Sequence, residues 1–163
     1  MTQDTIPDLL KMALRRLAKA VVVITAAHEG TRHAMSATAV SEISFDPCSM
    51  LICVNRSASL HPVLAAGAPF AINILHHDHE RIARLCAGQA KGEARFAEGD
   101  WREAALSVPR LASAQASIVC RNVKQVEHGT HGIFIGDVVE VFTDGEPDPL
   151  VYVDGRYARI AQG

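Results

Sequence analysis

Short β-branched and aliphatic runs, each cut off by a glycine, a proline or a polar turn, recur along this chain and constrain its fold more than any other feature. Ala20-Val-Val-Val-Ile-Thr-Ala26 is too short and too branched to favour a helix, because branched side chains lose rotamer freedom against a helical turn and fit a pleated surface. His28-Glu29-Gly30 reads as a turn. Thr38 to Phe45 shows partial alternation, Asp46-Pro47 breaks it, and Met50 to Val54 is another apolar strand. Phe70 to Leu75, Ile118 to Val126 and Ile133 to Phe142 continue the pattern. Leu150 to Ile160 predicts a hairpin, since Asp154-Gly155 is a favoured two-residue turn between Val151-Tyr-Val153 and Arg156-Tyr-Ala158.

Helical spacing is confined to short stretches. Leu10, Ala13, Leu14, Leu17 and Ala18 share one face, Pro7 and Asp8 supply a start, and Lys11, Arg15 and Lys19 line a face read as solvated. Residues 1–9 are expected as a flexible N-terminal tail. Leu60, Val63 and Leu64 predict a short helix closed by Gly67, and Asp78 a cap for a second one carrying Ile82, Leu85 and Cys86 and ended by Gly88. Residues 88–110 are polar and contain the only tryptophan, Trp101, so a long loop or a set of short turns is expected. Many strands and few helices predict one mainly β domain over residues 1–163, a barrel or a sandwich.

The core must be aliphatic, since the chain is 48% hydrophobic but only 5% aromatic. A net charge of −2 gives no reason to expect nucleic acid or an anionic membrane as partner. No apolar run approaches the roughly 20 residues of a membrane span, and Met1 to Pro7 is polar and carries Asp4, so a soluble cytoplasmic protein is expected. Cys48, Cys53, Cys86 and Cys120 form no C-x-x-C pair and read as reduced thiols acting as small buried hydrophobes.

There is no G-x-G-x-x-G, no Walker A loop, no H-E-x-x-H and no G-x-S-x-G. His76-His77-Asp78-His79 lacks the helical spacing of paired metal ligands and reads as a solvated connection with Asp78 as cap; no metal is assigned. Ala34 to Pro47 alternates small apolar residues with the hydroxyls of Ser36, Thr38 and Ser41. It is either an ordinary edge strand or a surface that a flat ligand approaches closely, with donors at the ligand's rim. Asn55-Arg56-Ser57-Ala58-Ser59 combines an arginine with two hydroxyls ahead of a helix, fitting either a helix cap or a phosphate site. His131, in Gly129-Thr-His-Gly-Ile-Phe-Ile-Gly136, is either an accessible functional imidazole or merely solvent-exposed.

Taken in order, these segments resemble the small flavin reductase components of two-component flavin-dependent monooxygenases, the flavin reductase-like FMN-binding family. The matching stretches are Ala20 to Thr25, Ala34 to Ser41 with Ser44-Phe-Asp-Pro47, Leu51 to Ser57, Phe70 to Leu75, His131 to Val138, and Pro149 to Tyr152 with Gly155-Arg-Tyr157. The resemblance implies a homodimeric split β-barrel that reduces FAD or FMN, non-covalently held and exchangeable, with NADH or NADPH as hydride donor. The reduced flavin would pass by diffusion to a separate oxygenase component. Hydride would move from nicotinamide C4 to flavin N5, with the protein stacking the two rings. By position, Arg32 to Ala39 would follow the flavin ring, with Met35, Ser36, Thr38 and Ala39 nearest and Ala37 between them. Cys53, Val54, Asn55, Arg56, Ser57 and Ser59 would wrap the ribityl and phosphate portion. Lys91 and Phe96 would close over the flavin tail. His131, the candidate catalytic residue, and Tyr157 would line the nicotinamide side.

The chain departs from the family pattern in two places. Cys48 follows Asp46-Pro47 where a second proline is usual, and Thr130 precedes His131 where an aspartate is usual, removing an orienting partner for the imidazole. Competing readings are a non-catalytic flavin- or haem-binding module acting as store or sensor, an oxidase acting directly on a small substrate, and a structural dimer without a site.

Overall fold

The computed structural model describes residues 4–161. Helix α1 (Ile6–Leu14) is followed by strands β1 (Lys19–Ala20), β2 (Val22–His28), β3 (Thr31–Ala37), β4 (Val40–Phe45) and β5 (Cys48–Asn55). Helix α2 (Leu60–Ala65), strand β6 (Phe70–Ile74) and helix α3 (Glu80–Arg84) come next. A 3-10 turn at Gly92–Phe96 leads into β7 (Trp101–Glu103) and β8 (Pro109–Leu111). The long hairpin of β9 (Ala116–His128) and β10 (His131–Thr143) and the short one of β11 (Leu150–Val153) and β12 (Arg156–Arg159) complete the chain.

Seven strands form one sheet in the order β3-β2-β6-β9-β10-β5-β4, every pair antiparallel. Laid flat, its edge strands would stand about 29 Å apart. Yet β3 and β4 are consecutive, joined only by Thr38 and Ala39, and the three Cα steps from Ala37 to Val40 reach at most about 11 Å. The sheet must therefore curl on itself into a barrel, split where the two edge strands meet. Cys53 N–H donates to Ala39 carbonyl oxygen at 2.9 Å, fixing the corner onto β5. The expected mainly β split barrel is what the chain builds.

The barrel interior holds Val22, Ile24, Ile52, Val54, Phe70, Ile72 and Phe134, and α2 closes one end with Leu60, Val63 and Leu64. Asn122 finishes that helix by donating to the carbonyls of Leu64 and Ala68 at 2.8 and 3.2 Å. A second cluster, Val21, Val23, Ala34, Leu75, Ile82, Cys86, Phe96 and Leu111, lies outside the barrel against β2 and β3. Strand β2 is thus buried on both faces, which is why Val21 to Ile24 is apolar without alternation. The turn chemistry holds: Glu29-Gly30 and Asp154-Gly155 both have positive φ at both residues.

Three local expectations change. Helix α1 starts at Ile6, where Asp8 accepts the Thr5 N–H at 3.3 Å, so residues 6–9 are helical rather than tail; residues 1–3 lie outside the described residues. Asp78 caps nothing, because its own N–H is accepted by His76 Nδ1 at 3.4 Å and α3 begins after His79. The His76–His79 stretch is not a solvated connection either. His76 and His77 are half-buried, and His77 Nδ1 lies 2.9 Å from Asp148, which Arg159 also grips.

Asn73 ties the layers together. It is fully buried on β6, donates to Val23 carbonyl oxygen (2.9 Å) and Thr25 Oγ1 (3.2 Å), and accepts from Leu111 N–H and Ser117 Oγ, both at 2.9 Å. One amide thus joins β2, β6, β8 and β9. Asn73→Ala strands several buried polar groups and is expected to cost about 3 kcal/mol, read as a lower denaturant midpoint at unchanged m-value.

Candidate functional site

The corner where β3 turns into β4 is the place to build a site. Both strands are sheet edges, so their outward backbone groups have no strand partner. Leu17, Lys19, Ala20, Thr38, Ala39, Val40, Leu51 and Cys53 line a groove of about 400 Å³ at this corner, within the usual size of a small-molecule cleft. A neighbouring groove of about 370 Å³ shares Thr38 and Lys19 and adds Lys11, Arg15 and Tyr152. The basic face of α1 is solvated, as expected, and also rims the cleft.

Strand pairing extends this surface. Cys53 stands opposite Ile133, and Asn55 opposite His131, so these side chains emerge on one face of the sheet. Cys53, Asn55 and His131 thus share one face of the sheet, next to the Thr38–Ala39 corner that is hydrogen-bonded to Cys53. Beyond Asn55 the chain turns tightly. The Asn55 side-chain oxygen accepts from both Ser57 N–H and Ser57 Oγ at 2.9 Å, and its amide N–H groups have no partner among the described residues. Ser57 and Ser59 are exposed, and Ser59 makes no capping hydrogen bond to α2, which removes the cap reading for that residue. Arg56 N–H is held by Thr130 carbonyl oxygen at 3.0 Å, and its Nε donates to Glu127 at 2.7 Å.

His131 is exposed on β10 with its Nδ1 2.8 Å from Thr130 Oγ1. The Thr130 hydroxyl thus gives the imidazole an uncharged partner, where the sequence reading expected an orienting partner to be missing. Behind the strand, Glu127 meets His61 Nε2 at 3.2 Å and accepts from Gln125. Hydrogen bonds from Gln125 and Arg56 hold the Glu127 carboxyl below the usual carboxylate range.

The other candidate residues are engaged with partners of their own. Met35 and Ala37 pack against the barrel core and Val54 is buried in it, so only their backbones reach outward. Ser36 Oγ donates to Ala83 carbonyl oxygen at 2.6 Å, anchoring α3 rather than a ligand. Arg32 stands six residues before Thr38, about 20 Å along the strand. It pairs with Glu93 and lies 4.2 Å over the Phe96 ring, at a separate groove beside Trp101. Phe96 is buried edge-on against Trp101, and Lys91 is exposed ahead of that turn. Tyr157 sits between Tyr152 and Arg84, with burial pushing its phenol pKa up.

Arg95, absent from the sequence reading, is the residue that fixes this region. Its Nη1 donates to Ala34 carbonyl oxygen at 2.6 Å and its Nε to Ala90 carbonyl oxygen at 3.0 Å, clamping the Gly92–Phe96 turn onto the β3 edge. Nothing local in Lys91-Gly-Glu-Ala-Arg-Phe96 marks a clamp. The cysteines divide by place. Cys48 is exposed and Cys53 half-buried at the cleft, whereas burial pushes the Cys86 thiol up to about 11 and Cys120 up to about 12. The only grouping of metal-ligand type among the described residues is His76, His77 and Asp148, where the Arg159 guanidinium already supplies the cation.

Comparison with known proteins places this geometry. A family model described as "Flavin reductase like domain" matches residues 14–161. The reductase component of an FADH(2)-dependent resorcinol hydroxylase from a Rhizobium species is 35% identical over 149 residues, covering 90% of this chain and 83% of that protein. The FMN reductase (NADH) RutF of Variovorax paradoxus is 34% identical, covering 91% of this chain and 83% of its own. Among solved structures, the flavin reductase PheA2 superposes with a TM-score of 0.86 at 29% identity, over 94% of this chain and 97% of that one. The NADH:FAD oxidoreductase SgcE6 of Streptomyces globisporus reaches 0.89 at 26% identity, over 99% and 98%.

Arg95→Ala removes two charge-assisted hydrogen bonds and is expected to lower stability by about 2 kcal/mol. Faster amide exchange confined to residues 90–97 and to β3 would mark the released clamp.

Proposed function

The chain belongs to the flavin reductase-like domain family, and from that premise we propose that it reduces FMN or FAD with NADH at the β3–β4 corner. It is an NAD(P)H-dependent flavin reductase of the kind that supplies reduced flavin to a separate oxygenase component. The observation that carries the placement is the cleft itself. It has small or aliphatic walls at Ala39, Val40 and Leu51, an adjoining turn rich in donors at Asn55 to Ser57, and one imidazole on the same sheet face.

Bound flavin supplies the hydride acceptor and the nicotinamide the donor. The residues of this chain bind and orient. Ala39 and Cys53 let a flat ring approach the backbone, and the free edge groups around Thr38 serve as donors to its polar rim. Asn55 amide and Ser57 would hold the phosphate portion, and Arg56 would join them on leaving Glu127. His131, oriented by Thr130, positions the nicotinamide. Lys11 and Lys19, on the rim, attract an anionic dinucleotide.

A homodimer completes the reading. Ile43, Phe45, Val126, Val139 and Val141 are exposed on β4, β9 and β10, and Phe45 is 84% exposed, an unusual state for a large aromatic. A second copy packed on these strands would wall the cleft from the open side. No helix among the described residues is long and apolar enough to cross a membrane.

The test is oxidation of NADH and NADPH followed at 340 nm with FMN, FAD or no flavin. Flavin-dependent turnover without any organic substrate is expected. Flavin bound with no turnover would favour a store or sensor. Substitution of His131 by Ala is expected to raise the NADH KM about tenfold; unchanged KM and hydride-transfer rate would remove it from the mechanism. In thiol labelling, FMN should slow modification of Cys53 while leaving Cys48 unaffected, with Cys86 and Cys120 unreactive until unfolding.

A further inference from the structure

Arg56, the one cation in the donor-rich turn, is already engaged. Its Nε donates to Glu127 Oε2 at 2.7 Å, and Glu127 is itself held by Gln125 and by His61. The chain makes room for this arrangement. Glu127 on β9 stands opposite Gly132 on β10, and a Cβ at Gly132 would fall 2.8 Å from Glu127 Oε1 and 2.7 Å from His61 Nε2. Any larger residue there would displace the pair.

Side-chain alternation gives the direction. His131 shares a sheet face with Asn55, whereas the next position, Gly132, points the other way, toward Phe134 and the barrel interior. Glu127 and His61 occupy that inner side at the barrel mouth. The carboxylate therefore draws the Arg56 guanidinium away from the face that carries Asn55 and His131.

We propose that Glu127 is an internal counter-anion that competes with the flavin phosphate for Arg56 and so keeps bound flavin exchangeable. The inference rests on the placement of the phosphate at Asn55 to Ser57. An ion pair exposed to water is weak, and a phosphate offers several strong acceptor oxygens, so displacement is feasible. It still subtracts from affinity, because the pair must break and the Glu127 charge remains near the incoming phosphate. For an enzyme that must release reduced flavin to another protein, that subtraction is useful.

The experiment measures binding of FMN, FAD and riboflavin by flavin fluorescence in the full chain, with Glu127→Gln, Glu127→Ala, Arg56→Ala and the double variant Arg56→Ala/Glu127→Ala. Both Glu127 variants are expected to tighten FMN and FAD about threefold to tenfold. Riboflavin, which lacks phosphate, should bind all variants alike and so reports an intact fold. In the Arg56→Ala background the Glu127 effect should fall to the smaller part that comes from direct charge repulsion, and an undiminished effect would overturn the competition for Arg56. If Arg56→Ala weakens FMN but neither Glu127 variant tightens it, the competition is wrong while the phosphate placement stands. If Arg56→Ala leaves FMN binding unchanged, the placement fails and this inference with it. Equal tightening of riboflavin would also overturn the proposal, since the effect would not act through phosphate.

Discussion

Two residues, Thr38 and Ala39, set the architecture. They join the two edge strands of a seven-stranded antiparallel sheet, and a link that short is incompatible with an open sheet of that strand order. Closure into a barrel is a matter of chain length. Burial of Val22, Ile24, Ile52, Val54 and Phe134 then makes the closed form favourable. The alternation of β5 and β10 follows, with one side chain inward and the next toward the cleft face.

The same corner creates the site. A barrel normally removes sheet edges, but here two edges meet without pairing along their length, leaving backbone donors and acceptors free beside a groove. Small residues at the corner keep it shallow. The edges are managed elsewhere by clamps. Arg95 satisfies Ala34 on β3, Ser36 reaches α3, and the Cys53–Ala39 hydrogen bond pins the turn. What remains open to a ligand is the groove face at Thr38, Ala39 and Cys53 and the exposed side chains of Ser57 and His131.

A reductase that hands on its product needs geometry more than strong binding. The cofactors bring the reactive atoms, and the protein contributes orientation and a modest hold. The cleft fits that demand: it is open, small-walled and rimmed by lysines, and its arginine is shared with a carboxylate. No buried acid pair or activated nucleophile is needed.

The strands, their turns and the aliphatic core were legible in the sequence because strand propensity and turn chemistry are local. Asp154-Gly155 and the Val21–Ile24 run announce themselves without their partners. The ordered set of segments carried the family and the activity. The N-terminal helix start at Ile6, the misassigned Asp78 cap and the half-buried histidines escaped, since each depends on which group happens to be nearest in space. The candidate site was legible as segments but not as a constellation. Arg32 and Phe96 sit together beside Trp101 rather than at the corner, while Arg95, Glu127 and His61 carried no signal at all. By itself the sequence determined the elements, the fold class and the chemistry. Only the tertiary structure decided which side chains of those elements share a face, because strand pairing in the order β9-β10-β5 brings together residues as distant in the chain as Arg56 and Glu127.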